Sequence, residues 1–155
     1  MKQIILRDTR EKTGWNFAPC NFCEAQEIAT LPTGDYTVKG LEKTLCIERK
    51  GISSEFCNNI FDTNQRFIRE LERMNEFKYP YVILEFTMKD IINFPMNSGI
   101  PYGRQRFMKI NGGVLLKRFI EVQLQFPCIK FILAGNNGKE FALSLMKRVV
   151  ENELR

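Results

Sequence analysis

Two carboxylates and a lysine are spaced so that two neighbouring strands would bring them together. The segment GDYTVKGLEKTLCIERK places Asp35 at the start of one short apolar stretch and Glu48-Arg49-Lys50 at the end of the next. Side chains alternate between the faces of a strand, so Glu48 and Lys50 are predicted on one face and Arg49 on the other. If the two strands are hairpin neighbours, both carboxylates and the ammonium group meet at one end of a sheet.

This cluster has the composition of a site for a divalent cation. Two close carboxylates repel each other, and a cation between them removes that repulsion; a set of oxygen ligands suits Mg²⁺ or Mn²⁺. Such a metal activates water and stabilises the charge that develops on a phosphate, while Lys50 would orient the water and add positive charge. The alternative is a surface ion pair at a strand end, because Glu-x-Lys occurs by chance in many proteins.

Composition narrows the chemistry and the partners. The 155 residues fit one domain, and the lack of histidine excludes imidazole bases, Ser-His and Cys-His nucleophiles and most zinc sites. A net charge of +5 and a pI of about 9.0 favour an anionic partner such as nucleic acid, although ordinary solubility explains this charge equally well. No apolar run approaches a membrane span and no secretory signal is evident, so we expect a cytoplasmic protein of a prokaryotic or phage-infected cell, or a nuclear one in a eukaryote.

Cysteine usage indicates a reducing compartment, because five is an odd number and no disulfide framework is evident. CNFC at Cys20 to Cys23 has the spacing of a metal site, but no second pair accompanies it, so we predict no zinc there. Cys46, Cys57 and Cys128 lie in apolar stretches and are predicted to belong to the core.

Alternating apolar and amphipathic stretches predict one α/β domain with the order β-β-β-α-β-α-β-α. The predicted strands are QIILRD, TVKG, TLCIERK, YPYVILEF and CIKFILAG, of which the last two should be buried. The predicted helices run from Ser53 to Glu76, over GVLLKRFIEVQLQF, and over KEFALSLMKRVVENEL. Residues 20–31 fit either a helix or an edge strand. We expect a sheet of mixed direction with helices on both faces.

The cluster and the motifs on both sides of it resemble those of a known family. Asp35 with Glu48-x-Lys50 is similar to the PD-(D/E)XK nuclease superfamily, and GD followed by ERK resembles more closely the nuclease domain of XPF-type structure-specific endonucleases. DTREK, RFIRELERM, PYVILEF and QFPCIKFILAGNNGKEFALSLMKRV resemble further family segments in the same order. The resemblance implies a restriction-endonuclease-like α/β fold, with a mixed central sheet flanked by helices on both faces.

The resemblance also implies a function, which is metal-dependent hydrolysis of phosphodiester bonds in DNA. Selectivity for flaps, forks or junctions and a role in DNA repair or recombination would accompany it. Residues 1–155 would form one nuclease domain, without the helix-hairpin-helix domain of many family members. Two alternatives stay open: a non-catalytic nuclease-fold module that binds DNA or recruits a partner, and an RNA-directed or nucleotide-processing hydrolase. The presence of Asp35, Glu48 and Lys50 together favours the enzyme.

Within the cluster, the resemblance implies a role for each residue. Asp35 and Glu48 would bind Mg²⁺ or Mn²⁺, with the main-chain carbonyl of Arg49 as a further ligand. Lys50 would lie beside the attacking water. DTREK resembles the first-strand motif of the family, and its Asp8 would ligate the metal directly or through water.

Four further residues belong to these motifs. Arg10 and Glu11 complete the first-strand motif, with Arg10 directed toward phosphate. Arg66 and Glu70 lie one helical turn apart and face the same way, so both are candidates for substrate contact. The family commonly has Gln at the second position, so Glu70 would either add negative charge near the metal or pair with Arg66. An ordinary solvated helix pair is the alternative.

A second departure from the family follows the ERK motif. The family usually carries an Asp where this chain has Ser54. We predict that Ser53 or Ser54 caps the next helix in its place, because serine is a preferred N-cap residue.

The longest irregular stretch predicted is FPMNSGIPYGRQRFMKING, which mixes basic and aromatic residues. Tyr102, Arg104, Arg106 and Lys109 are candidates for contact with the backbone and bases of DNA, and an ordinary surface loop is the alternative.

The last two predicted helices are rich in large apolar residues. Nuclease domains of the family that this chain resembles often pair through their helical face. We therefore expect a homodimer, or a dimer with a related nuclease-fold partner, unless the core of the monomer takes up all of these residues.

Overall fold

A computed structural model describes residues 1–154. It contains six strands: β1 (Gln3–Asp8), β2 (Cys23–Ala29), β3 (Tyr36–Val38), β4 (Leu45–Lys50), β5 (Tyr79–Leu84) and β6 (Lys130–Leu133). Its helices are α1 (Ser53–Ile60), α2 (Arg66–Met74), α3 (Met88–Ile92), α4 (Tyr102–Gln105), α5 (Gly112–Gln125) and α6 (Gly138–Glu153). A short 3₁₀ turn, Gly135–Asn137, precedes α6.

The strands form one mixed sheet in the order β2-β1-β3-β4-β5-β6. β3 runs antiparallel to both of its neighbours, β1 and β4, whereas β2 is parallel to β1, β5 is parallel to β4, and β6 is parallel to β5. The predicted mixed direction is therefore confirmed. Strand β4 lies inside the sheet, so its carboxyl end is surrounded by neighbouring elements.

Helices cover both faces of the sheet, as predicted. On one face, α1, α2, α3 and α5 pack against alternate residues of β4 and β5 such as Cys46 and Val82. On the other face, α6 packs against Leu45, Ile47 and Ile83, together with the aromatic cluster of the chain between β1 and β2. This alternation along β4 decides which face each residue of the cluster occupies.

Within residues 20–31, Cys23–Ala29 form the edge strand β2, and the helical alternative is wrong for this segment. The stretch CIKFILAG is a strand, but β6 lies at the opposite edge and is half-buried, so the prediction of a buried strand is wrong. Cys128 is exposed and lies just before this edge strand, outside the core predicted for it. Cys46 and Cys57 are buried as expected. No helix of residues 1–154 is both long and apolar enough to cross a membrane.

The helix predicted from Ser53 to Glu76 is in fact two helices, α1 and α2. The side chain of Asp62 accepts a hydrogen bond from the N–H of Asn64 at 3.0 Å, and this local turn competes with helical hydrogen bonding. Gln65 then adopts a left-handed conformation with φ 53°. After the break, Phe67 in the first turn of α2 lies against the ammonium of Lys50 at the carboxyl end of β4.

The predicted serine cap of α1 is wrong. Ile52 is the N-cap residue, and no side chain caps the helix there. The hydroxyl of Ser53 is buried without a hydrogen-bond partner, and the N–H of Ser54 donates to the carbonyl of Ser98. The loop that follows α3 therefore supports the start of α1. The stretch predicted to be irregular also contains the four-residue helix α4.

The left-handed backbone at Gly34 positions Asp35. Its φ is +81°, and a β-carbon there would lie 2.5 Å from the sulfur of Cys46. We expect Gly34→Ala to lower the free energy of unfolding by more than about 1 kcal/mol, because strain and overlap add. Urea denaturation measures the change. Gly40→Ala is the control for φ alone, since Gly40 also has positive φ (+92°) but open space around it. Equal losses of stability in the two variants would contradict the packing argument.

Candidate active site

The carboxyl end of β4 divides its charged residues between the two faces of the sheet. The side chains of Glu48 and Lys50 are 7% and 9% exposed, and Nζ of Lys50 lies 3.2 Å from Oε1 of Glu48. The same Nζ lies 4.9 Å from the centre of the Phe67 ring, on the face covered by α2. The guanidinium of Arg49 stacks over Trp15 on the opposite face. The predicted alternation is therefore present.

Asp35 lies beside this strand end because of the turn that leads into β3. Its N–H donates to the carbonyl of Ile47 at 2.7 Å, and its Oδ2 accepts the N–H of Arg49 at 2.8 Å. Burial raises the pKa of Asp35 to about 7; the hydrogen bond from Arg49 and the charge of Lys50 oppose this rise, and the charges of Glu11 and Glu70 add to it. The hairpin neighbourhood predicted from the sequence thus brings this carboxylate to β4.

Glu48 has two acidic neighbours. Burial and the charges of Asp35 and Glu70 raise the pKa of Glu48 well above its usual value, against the effect of Lys50, and a hydrogen bond with the side chain of Glu70 adds to the rise. Burial alone would lower the pKa of Lys50, but Glu48, Glu70 and Glu55 raise it, so the ammonium keeps its charge. Three carboxyl groups and one ammonium therefore lie close together, and Glu48 and Lys50 are the buried members of this group.

Glu70 thus lies against Glu48, and Arg66 pairs with Asp62 at 3.0 Å. Of the two alternatives for Glu70, the arrangement corresponds to added negative charge beside the cluster. Arg66 is largely exposed, at 77% of its side chain.

Asp8 supports the turn that carries Asp35. Its carboxylate accepts the N–H of Leu31 at 2.8 Å on Oδ1, and both the N–H and Nε of Arg10 on Oδ2. Its own N–H donates to the carbonyl of Asp35 at 2.8 Å. Burial acts to raise the pKa of Asp8, but the hydrogen bonds from Arg10 and Leu31 outweigh it, and the pKa lies below its usual value. Asp8 is therefore a charged carboxylate whose two oxygens already have donors.

On the other face of β4, Arg49 is held by acidic groups. Its Nε donates to Oε1 of Glu85, and its Nη1 lies 3.7 Å from Oε1 of Glu11. Glu85 also accepts a hydrogen bond from Nε1 of Trp15 at 3.3 Å, and its N–H donates to the carbonyl of Lys50 at 2.9 Å. Sequence reasoning missed Glu85, because in the sequence it is simply an acidic residue at the end of an apolar strand. Parallel pairing of that strand with β4 would have predicted that Glu85 lies beside the end of β4.

Tyr102, Arg104, Arg106 and Lys109 are exposed on and after α4. The guanidinium of Arg106 lies 4.8 Å from the centre of the Phe107 ring. The preceding loop contacts the first turn of α1, because the N–H of Ser54 donates to the carbonyl of Ser98 at 3.3 Å. Within residues 1–154, no hydrogen bond or ion pair joins the four side chains to the cluster, so they form a separate surface beside it.

The donor set fits a hard divalent cation, although it is small. In the part of the chain that the structure describes, no three His, Cys, Asp or Glu side chains are arranged to hold a metal ion. Mg²⁺ commonly uses one or two protein carboxylates and completes its shell with water and substrate phosphate. The half-buried Asp35 and the buried Glu48, whose carboxyl groups have raised pKa values, are groups that a cation would stabilise in charged form.

A mixed sheet with helices on both faces and a carboxylate–lysine cluster at the end of an inner strand defines an α/β domain of the nuclease type. The model of the ERCC4 domain family matches residues 8–128. The chain therefore belongs to the ERCC4 domain family, and its fold is that of an XPF-type nuclease domain.

Two solved structures share this fold: XPF from Aeropyrum pernix, and the same protein in complex with DNA. Each is 19% identical to this chain with a TM-score of 0.58, and each alignment covers 97% of this chain and 66% of the archaeal one. The chain thus spans slightly less than two thirds of the length of those proteins. No curated protein sequence matches it significantly.

The raised pKa of Asp35 predicts how the metal-free protein responds to pH. The folded state keeps a proton up to about pH 7 that the unfolded chain releases near the ordinary aspartate value of 3.8. This contribution to stability is complete below about pH 4 and is lost as pH rises through 7. Asp35→Asn keeps an acceptor for the N–H of Arg49 but cannot ionise, so its free energy of unfolding at pH 8 should exceed that of the wild type by on the order of 2 kcal/mol.

Thermal denaturation in chelator from pH 4 to pH 8 measures this effect. The exposed Glu72→Gln variant on α2 removes a carboxylate outside the cluster and should leave the pH profile of the wild type unchanged. If the stability of the wild type stays constant from pH 5 to pH 8, the ionisation of Asp35 does not contribute to it and the prediction is wrong.

Proposed function

We propose that the chain is a metal-dependent endodeoxyribonuclease that hydrolyses phosphodiester bonds, with selectivity for flap, fork or junction DNA. The observation that carries this proposal is the meeting of Asp35, Glu48 and Lys50 at the carboxyl end of β4. Membership in the ERCC4 domain family supports it. Work in DNA repair or recombination follows from the proposed substrates.

Asp35 and Glu48 would hold Mg²⁺ or Mn²⁺, with the main-chain carbonyl of Arg49 available as a third oxygen. A bound ion of this kind would acidify a water molecule and offset the charge of the phosphate. Asp8 would contribute indirectly, through a water molecule on the metal or by fixing the turn that carries Asp35, because its oxygens already accept hydrogen bonds. Glu11 and Glu85 would hold Arg49 in place on the opposite face.

Lys50 would orient the attacking water and offset negative charge on the phosphate as the bond breaks. Its pKa is raised by the surrounding carboxylates, so it stays protonated at neutral pH and acts as a hydrogen-bond donor and not as a base. Its side chain is 9% exposed and its Nζ lies over the Phe67 ring, so packing limits the positions that the ammonium can adopt. Glu55, 3.9 Å from Nζ, is half-exposed and lies at the edge of this arrangement.

DNA is the proposed partner because the net charge is +5 and one similar structure is a complex with DNA. Arg104, Arg106 and Lys109 would contact phosphates, and Tyr102 would stack on a base. Pairing with a second copy or with a related partner stays a prediction. Exposed apolar residues on α5, such as Ile120 and Leu124, are compatible with it.

One observation favours the non-catalytic alternative: among the described residues, no three His, Cys, Asp or Glu side chains are arranged to hold a metal ion. A module that only binds DNA would nevertheless gain nothing from burying two carboxylates whose charged forms are disfavoured. Cleavage itself distinguishes the two functions.

Lys50→Ala tests the proposed chemistry. Wild-type protein should cleave labelled flap or fork DNA with Mg²⁺ or Mn²⁺ and stop in excess chelator. Lys50→Ala should lower the single-turnover rate by about 100-fold or more, since it removes a charge that acts in the transition state. Its DNA affinity should stay nearly unchanged. The control is Lys139→Ala on α6, outside the cluster, which should cut at the wild-type rate. Cleavage by Lys50→Ala at that rate, or undiminished cleavage in chelator, would overturn the proposal.

The basic surface after α4 should act in binding and not in chemistry. We expect the double variant Arg104→Ala, Arg106→Ala to bind DNA more weakly, with a salt dependence shallower by about one unit of slope for each phosphate that the variant no longer neutralises. Filter binding across a salt series measures this. Its single-turnover rate at saturating DNA should equal that of the wild type. An unchanged affinity would leave the active site in place and show that this segment is an ordinary surface loop.

A further inference from the structure

A polar cavity of about 320 Å³ lies beside the cluster, between the turn that precedes Asp35 and helices α1 and α2. Lys50 and Glu70 contribute to its lining, whereas Asp35 and Glu48 are not among the described residues that do so. A water molecule takes up about 30 Å³ of liquid, so the cavity has room for a larger ligand. It therefore adjoins the proposed metal site without coinciding with it.

Four cationic side chains line this cavity, against one carboxylate. Three of them already have an acidic partner: Arg10 with Asp8, Lys50 with Glu48, and Arg66 with Asp62. The fourth is Arg73, whose side chain has no hydrogen bond, ion pair or ring contact within residues 1–154. Arg73 lies in the last turn of α2, where the helix dipole favours a cation, so its exposure alone identifies no ligand.

Two buried polar atoms supply a second and independent observation. Thr33 is only 6% exposed, and its hydroxyl has no hydrogen-bond partner; the side-chain oxygen of Asn59 is also buried without one. Four such side-chain atoms occur in residues 1–154, and two of them belong to residues that line this cavity. Buried polar groups are nearly always hydrogen-bonded in folded proteins. Both residues line the cavity, so a polar ligand there would pair with both side chains once their polar ends turn toward it.

Phosphate is the ligand whose chemistry matches these groups. Its oxygens accept hydrogen bonds, and an arginine fork binds two of them at once. The hydroxyl of Thr33 can donate, and the amide of Asn59 presents N–H donors when it turns by half a rotation, since its oxygen and nitrogen ends have the same shape. We propose that this cavity binds a phosphate group of the nucleic acid, with Arg73, Thr33 and Asn59 as its ligands.

This proposal rests on the proposed function for the identity of the ligand as nucleic acid. The bound phosphate would differ from the one being cleaved, because the cavity does not include the carboxylates of Asp35 and Glu48. It would hold the strand beside Lys50, whose ammonium lines the cavity but is paired with Glu48 and is not one of the proposed phosphate ligands. Arg73 would accordingly be a substrate-binding residue, and its loss should appear as a lower affinity for DNA.

Fluorescence anisotropy of a labelled single-stranded DNA, measured in chelator across a salt series, tests the cavity without cleavage. We expect Arg73→Ala to bind about tenfold more weakly, with a salt slope shallower by about 0.7. Arg73→Lys should recover part of the affinity, because it restores the charge but not the fork. The matched control is Arg69→Ala, one turn earlier on α2, which is exposed and does not line the cavity. It should stay within about twofold of the wild type.

Thr33→Val provides a second variant that keeps the shape of the side chain. If the hydroxyl is a ligand, affinity should fall by about fivefold while the melting temperature is retained or rises, because an unpaired buried hydroxyl has been removed. Oligonucleotides with and without a 5′-phosphate identify the source of the ligand. Equal losses of affinity for both indicate a backbone phosphate, and a loss only for the phosphorylated one indicates a terminal phosphate. Binding by Arg73→Ala and Thr33→Val at the level of Arg69→Ala would overturn the proposal.

The outcomes also separate this site from the proposed enzyme activity. Cleavage by the wild type together with normal binding by both variants would remove the phosphate site and leave the nuclease intact. Weaker binding by both variants, with no cleavage by the wild type in Mg²⁺ or Mn²⁺, would leave the phosphate site and remove the nuclease.

Discussion

Confinement of carboxyl groups at the end of β4 is the constraint on which the rest of the site depends. Asp35, Glu48 and Glu70 interact strongly enough that burial and mutual repulsion raise the pKa of the first two. The chain offsets this cost only partly, through Lys50 and through the N–H of Arg49. An arrangement that disfavours its own charged form is typical of sites prepared for a cation or for proton transfer, and is seldom found where stability alone is selected.

The alternation of β4 divides the two cations of this strand end between the two faces of the sheet. Lys50 points toward the cluster, whereas the side chain of Arg49 lies on the other face, where it donates a hydrogen bond to Glu85 and stacks over Trp15. Arg49 therefore contributes its N–H to Asp35 on one side and its guanidinium to Glu85 on the other. Because parallel pairing brings the end of β5 beside that of β4, Glu85 is placed there by the sheet itself. The strand order thus determines the electrostatics of both faces.

The sequence was sufficient for the part of the site that depends on short-range geometry. Glu48 and Lys50 follow from the period of a strand, and Asp35 follows from a hairpin of neighbouring strands, so all three could be predicted together with the mixed α/β fold. The break between α1 and α2 could not, because it depends on a local turn made by the side chain of Asp62 within a continuous helical pattern. The position of Thr33 in a cavity wall depends on packing between elements distant in the chain, for which periodicity gives no signal.

The turn before β3 connects the chemistry to the cavity. Its first residue, Leu31, donates its N–H to Asp8, and its last, Asp35, donates to β4, so both ends are fixed by hydrogen bonds to the sheet. Between them, Thr33 forms part of the cavity wall, and Gly34 takes the left-handed conformation that lets the turn approach Cys46. A shift of this turn would move the carboxylate of Asp35 and the hydroxyl of Thr33 together. One short segment of backbone therefore positions one ligand of the proposed metal site and one ligand of the proposed phosphate site, and the hydrogen bonds of Asp8 hold that segment in place.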